Sequence, residues 1–117
     1  MTDKQISTVY GEAAHYADPD AYVSDWATSS LFLPPDDPEA EIAPELVDQL
    51  RTLWHVANDP IKSLLQRMGL TQTQCATRFC IPLRTVQNWA GGQRPCPHYL
   101  RLMMAEATGA VDFRREG

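Results

Sequence analysis

Apolar residues recur every three or four positions along most of this chain, and no stretch of useful length alternates apolar with polar residues. Side chains three or four apart share one face of a helix, so the pattern predicts an all-α fold. The first run follows a cap at Thr2 and places on one face Ile6, Val9, Tyr10, Ala13, Ala14 and Ala17. A shorter run follows Asp18 and Pro19, a cap and a first-turn proline, with Tyr22, Val23 and Trp26 facing inward.

The segment 34–43 interrupts this pattern with three prolines and several acidic residues. Prolines forbid a regular helix and the carboxylates favour solvent, so the sequence predicts a linker here, after a helical acidic N-terminal arm of residues 1–33.

A domain of residues 44–117 would follow the linker and contain five helices. Pro44 begins the first, whose apolar face comprises Leu46, Val47, Leu50, Leu53, Trp54 and Ala57. Pro60 begins the second, with Ile61, Leu64, Leu65 and Met68 inward and Gly69 as its stop. The last begins after Cys96 and Pro97, with Tyr99, Leu100, Met103, Met104 and Ala107 apolar and Gly109 as its stop. Two short helices lie between them.

These two helices are predicted from residues 70–92, LTQTQCATRFCIPLRTVQNWAGG. Thr71 and Gln74 form a capping box, in which each side chain satisfies a backbone N–H of the other residue, so a helix begins at about residue 72. Pro82 cannot continue that helix but suits the start of the next, which the two glycines after residue 90 end. The inward positions are Cys75, Ala76, Phe79, Val86 and Trp89. The pattern is typical of a helix-turn-helix.

The residues LTQxQ…A…F, a turn, I-P-x-R-T-V-x-N-W and G-x-R-x-P resemble the helix-turn-helix of Cro and phage-repressor proteins, the XRE family. The resemblance covers residues 61–107. It implies a Cro/repressor-like fold and a DNA-binding regulator of transcription. Two positions depart from the family pattern: Cys80 stands where the turn commonly has Gly, which tolerates positive φ, and Ala90 stands where an acidic residue often follows.

Polar residues on the outer face of the second motif helix are the candidates for base readout: Arg84, Thr85, Gln87 and Asn88. These residue types hydrogen-bond base edges and phosphates, although any surface helix also has a polar face. The resemblance implies that Arg84 contacts guanine or a phosphate and Thr85 a thymine methyl or a phosphate. It also implies that Gln87 and Asn88 contact base edges or the flanking DNA backbone.

Four further residues are candidates for phosphate contacts. Thr71 and Gln72 lie at a helix N-terminus, where backbone N–H groups and the helix dipole favour an anion. Gln93 and Arg94 follow the second helix and would hold the DNA backbone there.

The net charge of −5 argues against nucleic acid as a partner, but the charge is unevenly distributed. Residues 1–59 carry twelve Asp or Glu against two Lys or Arg, and residues 60–117 carry eight Lys or Arg against three Asp or Glu. At physiological salt, screening limits the attraction between protein charges and DNA to about 8 Å. The charge of the basic half therefore determines whether DNA is attracted to that half. We expect the acidic half to face away from DNA.

Composition excludes several other classes of protein. No apolar run approaches the ~20 residues that span a bilayer, and the polar start MTDKQISTV is unlike a signal peptide, so we expect a cytoplasmic protein without membrane contact. The possible zinc ligands are Cys75, Cys80, Cys96 and His98, but they lack the close Cys pair of structural sites. No phosphate loop or catalytic motif is visible, so we predict no metal, no cofactor and no enzyme.

The sequence favours a sequence-specific repressor that binds an inverted-repeat operator as a homodimer. The alternative is an antitoxin, whose N-terminal arm neutralises a partner toxin while the helix-turn-helix autoregulates the operon. A third possibility is a protein-interaction adaptor that does not bind DNA. Salt-dependent DNA binding would separate the first two from the third.

Overall fold

The computed structural model describes residues 1–115 of the 117-residue chain. The described helices are α1 (Asp3–Ala13), α2 (Pro19–Ala27), α3 (Pro44–Asn58), α4 (Ile61–Met68), α5 (Gln72–Phe79), α6 (Leu83–Ala90) and α7 (His98–Ala107). Within residues 1–115 the only β feature is an isolated bridge between Thr2 and Arg115. The prediction of an all-α fold is therefore confirmed. None of the seven helices combines the length and the apolar character that crossing a membrane requires.

The chain divides into two compact units, one formed by Met1–Asn58 with residues 113–115 and the other by Asp59–Asp112. This division differs from the predicted linker at 34–43, because α3 packs with α1 and α2. Two side chains of α3 fix this arrangement: the Asn58 amide donates to the Ala13 carbonyl at 3.0 Å, and the Trp54 indole N–H donates to the Tyr16 carbonyl at 2.9 Å. The second unit thus contains four helices, α4–α7, rather than the five predicted for residues 44–117.

The first unit is a three-helix structure whose helix starts follow the predicted caps. Thr2 and Gln5 form a capping box at α1, and the Asp18 carboxylate accepts the Asp20 backbone N–H at 3.1 Å at the start of α2. The core includes Tyr22, whose hydroxyl donates to the Val9 carbonyl at 2.8 Å. Sequence periodicity found most of this core, but Ala14 and Ala17, predicted inward, are exposed.

The C-terminal segment of the chain also belongs to this unit. The Met1 ammonium donates to the Phe113 carbonyl at 2.9 Å, and the Arg114 guanidinium pairs with the Asp3 carboxylate at 2.9 Å. Arg114 and Asp3 remain substantially exposed, so solvent weakens this ion pair. These contacts place Met1 and residues 113–115 in the same unit.

The second unit has a core built from α4, α5, α6 and α7. All four predicted inward residues of α4 are buried, namely Ile61, Leu64, Leu65 and Met68. Gly69 ends α4 with φ 73°, a left-handed conformation that glycine adopts without a steric penalty. Cys75 of α5 contacts Met104 of α7 across this core, with 3.9 Å between the sulfur atoms.

Only part of the predicted apolar face of α7 is buried, since that face includes Met104 but also Tyr99 and Met103. Leu102, Met104 and Ala105 are buried, whereas Tyr99 is 67% exposed and Met103 60% exposed. Nearly every position from 99 to 107 is apolar, so periodicity does not determine which face of this helix turns inward. Packing against the rest of the unit selects the face, and it leaves two large apolar side chains in solvent.

Candidate nucleic-acid interface

The start of α5 is fixed by the capping box that the sequence predicts. The Thr71 hydroxyl accepts the Gln74 backbone N–H at 3.1 Å, and the Gln74 side-chain oxygen accepts the Thr71 backbone N–H at 2.9 Å. Two N–H groups without helical partners are thereby satisfied, and the helix begins at Gln72 as predicted. Thr71 is exposed and Gln72 is half-buried.

The turn after α5 depends on an unusual backbone conformation at Cys80. This residue has φ 55° and ψ 41°, and within residues 1–115 it is the only non-glycine residue with positive φ. Its N–H and that of Ile81 both donate to the Ala76 carbonyl, the latter at 2.9 Å, which closes the end of the helix. Cys80 therefore adopts the left-handed conformation at the position where the sequence pattern commonly has glycine.

Helix α6 follows this turn and exposes one polar face. Val86 is fully buried on the opposite side. Arg84 and Gln87 are exposed, whereas Thr85 and Asn88 are half-buried. The four predicted base-reading residues thus lie on one short helix, but only two of them, Arg84 and Gln87, are exposed.

Two features of α6 were not predicted from the sequence. Trp89, predicted inward, is only half-buried. Leu83 is 39% exposed beside Arg84, on the face that the polar residues share. The sequence did not indicate that Leu83 is exposed, because a residue three positions before the buried Val86 can share its inward face. An exposed leucine here suits contact with a thymine methyl group.

The loop after α6 folds back on the helix. The backbone N–H groups of Gln93 and Arg94 donate to the Asn88 carbonyl at 3.0 and 3.4 Å. Gly92 permits this reversal with φ 81°. The side chains of Gln93 and Arg94 are both exposed next to the C-terminal end of α6.

The unit Asp59–Asp112 is basic, with six Lys or Arg against three Asp or Glu, and residues 60–105 contain no carboxylate side chain. Two of the arginines donate hydrogen bonds within the unit: Arg78 donates to the Ala107 carbonyl at 2.8 Å, and Arg101 donates to the Asp59 carbonyl at 2.7 Å. Arg84 and Arg94 present their charges on the surface.

The cysteines differ in environment. Cys75 and Cys96 are buried and Cys80 is exposed. Burial raises the pKa of the Cys96 thiol to about 11, and burial also raises that of Cys75. Among residues 1–115 no group of three or more His, Cys, Asp or Glu side chains is arranged to hold a metal ion.

No protein-family model, curated protein or solved structure matches this chain. The functional assignment therefore depends on the geometry of the described residues.

Proposed function

We propose that this protein is a sequence-specific DNA-binding regulator that represses transcription, with α6 as its recognition helix. The observation that carries the proposal is the conjunction of a left-handed turn residue at Cys80 with an exposed polar face on α6. An α-helix fits the major groove of DNA, where arginine and amide side chains distinguish base pairs. The absence of carboxylates from residues 60–105 removes the repulsion that a phosphate backbone would otherwise meet.

The contacts divide by position along α6. Arg84 and Gln87 are exposed at helical spacing and would reach base edges, with Thr85 and Asn88 nearer the helix flank. Thr71, Gln72, Gln93 and Arg94 lie before α5 or after α6, in positions suited to the sugar-phosphate backbone. Phosphate contacts would fix the register and base contacts would give the sequence preference.

Two copies of the chain would act together, because one short recognition helix contacts few base pairs. The exposed Tyr99 and Met103 lie one turn apart on α7 and offer an apolar surface for the second copy. A symmetric dimer would prefer an inverted repeat with half-site centres about 34 Å apart, one turn of DNA.

Selection of bound duplexes from a random pool, followed by titration of variants, tests this function. Arg84→Ala should weaken binding to the selected duplex by ~1–3 kcal/mol and binding to random DNA much less. Arg94→Ala should weaken both alike, because a phosphate contact carries no sequence information. Equal losses on all duplexes for Arg84→Ala would contradict base readout by α6.

A second candidate function is that of an antitoxin. The observation that favours it is the separate acidic unit, since residues 1–58 carry eleven Asp or Glu against two Lys or Arg. Such a unit could neutralise a basic partner protein while the other unit binds the operator. Co-expression with the product of the adjacent gene tests it: a stable complex that dissociates when residues 1–58 are deleted supports the antitoxin, and the absence of a complex contradicts it.

A further inference from the structure

A cleft of about 360 Å³ lies within the unit Asp59–Asp112, beside the C-terminal end of α6. Its walls come from the start of α4, the end of α6, the loop that follows and α7. The volume is in the range of small-molecule sites, which are ~300–1,000 Å³. None of its lining residues carries a carboxylate.

Two arginines, Arg94 and Arg101, are among the residues that line the cleft. Arg101 is held in place by its bond to the Asp59 carbonyl at 2.7 Å. Burial raises the pKa of the nearby Cys96 thiol, and the charge of Arg101 partly offsets this rise. Arg94 lines the same cleft from the loop, where its backbone N–H donates to the Asn88 carbonyl.

Several apolar residues also line the cleft. The half-buried residue Trp89 lines the cleft together with Ile61, which is otherwise buried. Pro60 and Pro95 add rigid apolar surface. A lining that contains both a tryptophan and an arginine suits a ligand that is flat at one end and anionic at the other.

We propose that this cleft binds a small aromatic carboxylate, with the ring against Trp89 and the carboxylate on Arg94. A guanidinium pairs well with a carboxylate because its N–H groups match the two oxygen atoms. Ligand binding would also regulate DNA binding, a consequence that rests on the proposed function, in which Arg94 contacts a DNA phosphate. Ligand and DNA then compete for this side chain, and the ligand releases the protein from its operator.

Binding is tested without DNA, on the full chain, with benzoate as the probe. Trp89 is the only tryptophan of its unit, and its indole N–H signal in a nitrogen–proton NMR spectrum is assigned by comparison with Trp89→Phe. We expect benzoate to shift this signal saturably, and benzyl alcohol, which has the ring without the charge, to bind at least tenfold more weakly. Arg94→Gln should weaken benzoate binding about tenfold, which is the loss of one charged hydrogen bond.

Arg67→Gln is the matched control, because it removes one exposed guanidinium of the same unit outside the cleft and should leave benzoate affinity unchanged. An unmoved Trp89 signal at saturating benzoate would overturn the site. Inorganic phosphate that binds as tightly as benzoate would overturn the aromatic class of ligand.

A separate titration tests the link to DNA. Saturating benzoate should lower the affinity for the selected duplex, and the duplex should lower benzoate affinity by the same factor, as linkage requires. Equal DNA affinity with and without bound benzoate would overturn the regulatory consequence. If benzoate shifts the Trp89 signal but the protein binds no DNA, the ligand site stands and the proposed function is refuted.

Discussion

Replacing Cys80 by glycine should stabilise the unit that contains the helix-turn-helix. The cysteine adopts φ 55°, in the left-handed region that residues with a Cβ atom avoid. Because Cys80 is exposed, the substitution removes little buried surface. Valine at the same position is the opposite perturbation, because a β-branched side chain tolerates this conformation least.

The magnitude follows from two opposing terms. A left-handed backbone costs a residue with a side chain ~1–2 kcal/mol relative to the right-handed helix. Glycine escapes that cost but loses ~0.5–1 kcal/mol more conformational freedom on folding. The expected net gain for Cys80→Gly is about 0.5–1 kcal/mol, and Cys80→Val should lose at least as much.

Urea unfolding followed by the Trp89 indole signal measures the effect in this unit alone. Gln66→Gly, at an exposed position inside α4, is the matched control: a helical backbone should make glycine destabilising there, by ~0.5–1 kcal/mol. Two glycine substitutions with opposite signs would identify backbone conformation as the cause. If Cys80→Gly lowers stability as Gln66→Gly does, Cys80 is not left-handed in solution.

Three other predictions concern different parts of the chain. Burial raises the pKa of Tyr22 above its usual 10, so the unit that contains it should lose stability as the pH rises above about 10. In urea unfolding, Tyr22→Phe should lower the free energy of unfolding by ~1 kcal/mol at pH 7 and reduce the loss of stability at alkaline pH. An unchanged alkaline loss in this variant would contradict the prediction. Iodoacetamide at pH 8 should alkylate Cys80 well before Cys96, because Cys96 is buried and its pKa of about 11 leaves little thiolate. Mass spectrometry of the peptides measures the two rates, and equal rates would refute the prediction. Met103→Glu should leave the helical circular dichroism unchanged and weaken self-association at least tenfold in sedimentation, whereas an unchanged dissociation constant would exclude this face of α7 from the dimer.

Local signals in the sequence located the helices well. The capping box at Thr71 and the proline before α6 act through neighbouring backbone groups, so they operate wherever the chain packs. The four buried residues of α4 have the full helical period and only one apolar face. In such segments the sequence alone determines both the helix and its inward side.

Tertiary packing decided the features that the sequence did not reveal. The apolar face of α3 is equally suited to packing against the helices before it or the helices after it. Nothing in the sequence near Pro44 indicates that α3 packs with α1 and α2. The prolines of residues 34–43 marked a break between helices, which is not the same as a boundary between units.

The candidate site shows the same division between local and tertiary information. Residue types and spacing placed Arg84 and Gln87 on the exposed face of α6, as the structure has them. The cleft beside Trp89 brings together residues from Pro60 to Arg101, and no local pattern joins positions so far apart in the sequence.

The central claim is that the protein recognises DNA by sequence, and a salt titration on two duplexes tests it most directly. Fluorescence anisotropy would follow binding of the full chain to the selected duplex and to a scrambled duplex of equal length between 50 and 300 mM salt, about the range in which counterion release is measurable. We predict a negative slope of log K against log salt on both duplexes, about −0.9 for each phosphate contacted, and affinity for the selected duplex at least a thousandfold higher, about the lower limit for specific binding. A salt-independent affinity, or equal affinity for the two duplexes at every salt concentration, would contradict the claim.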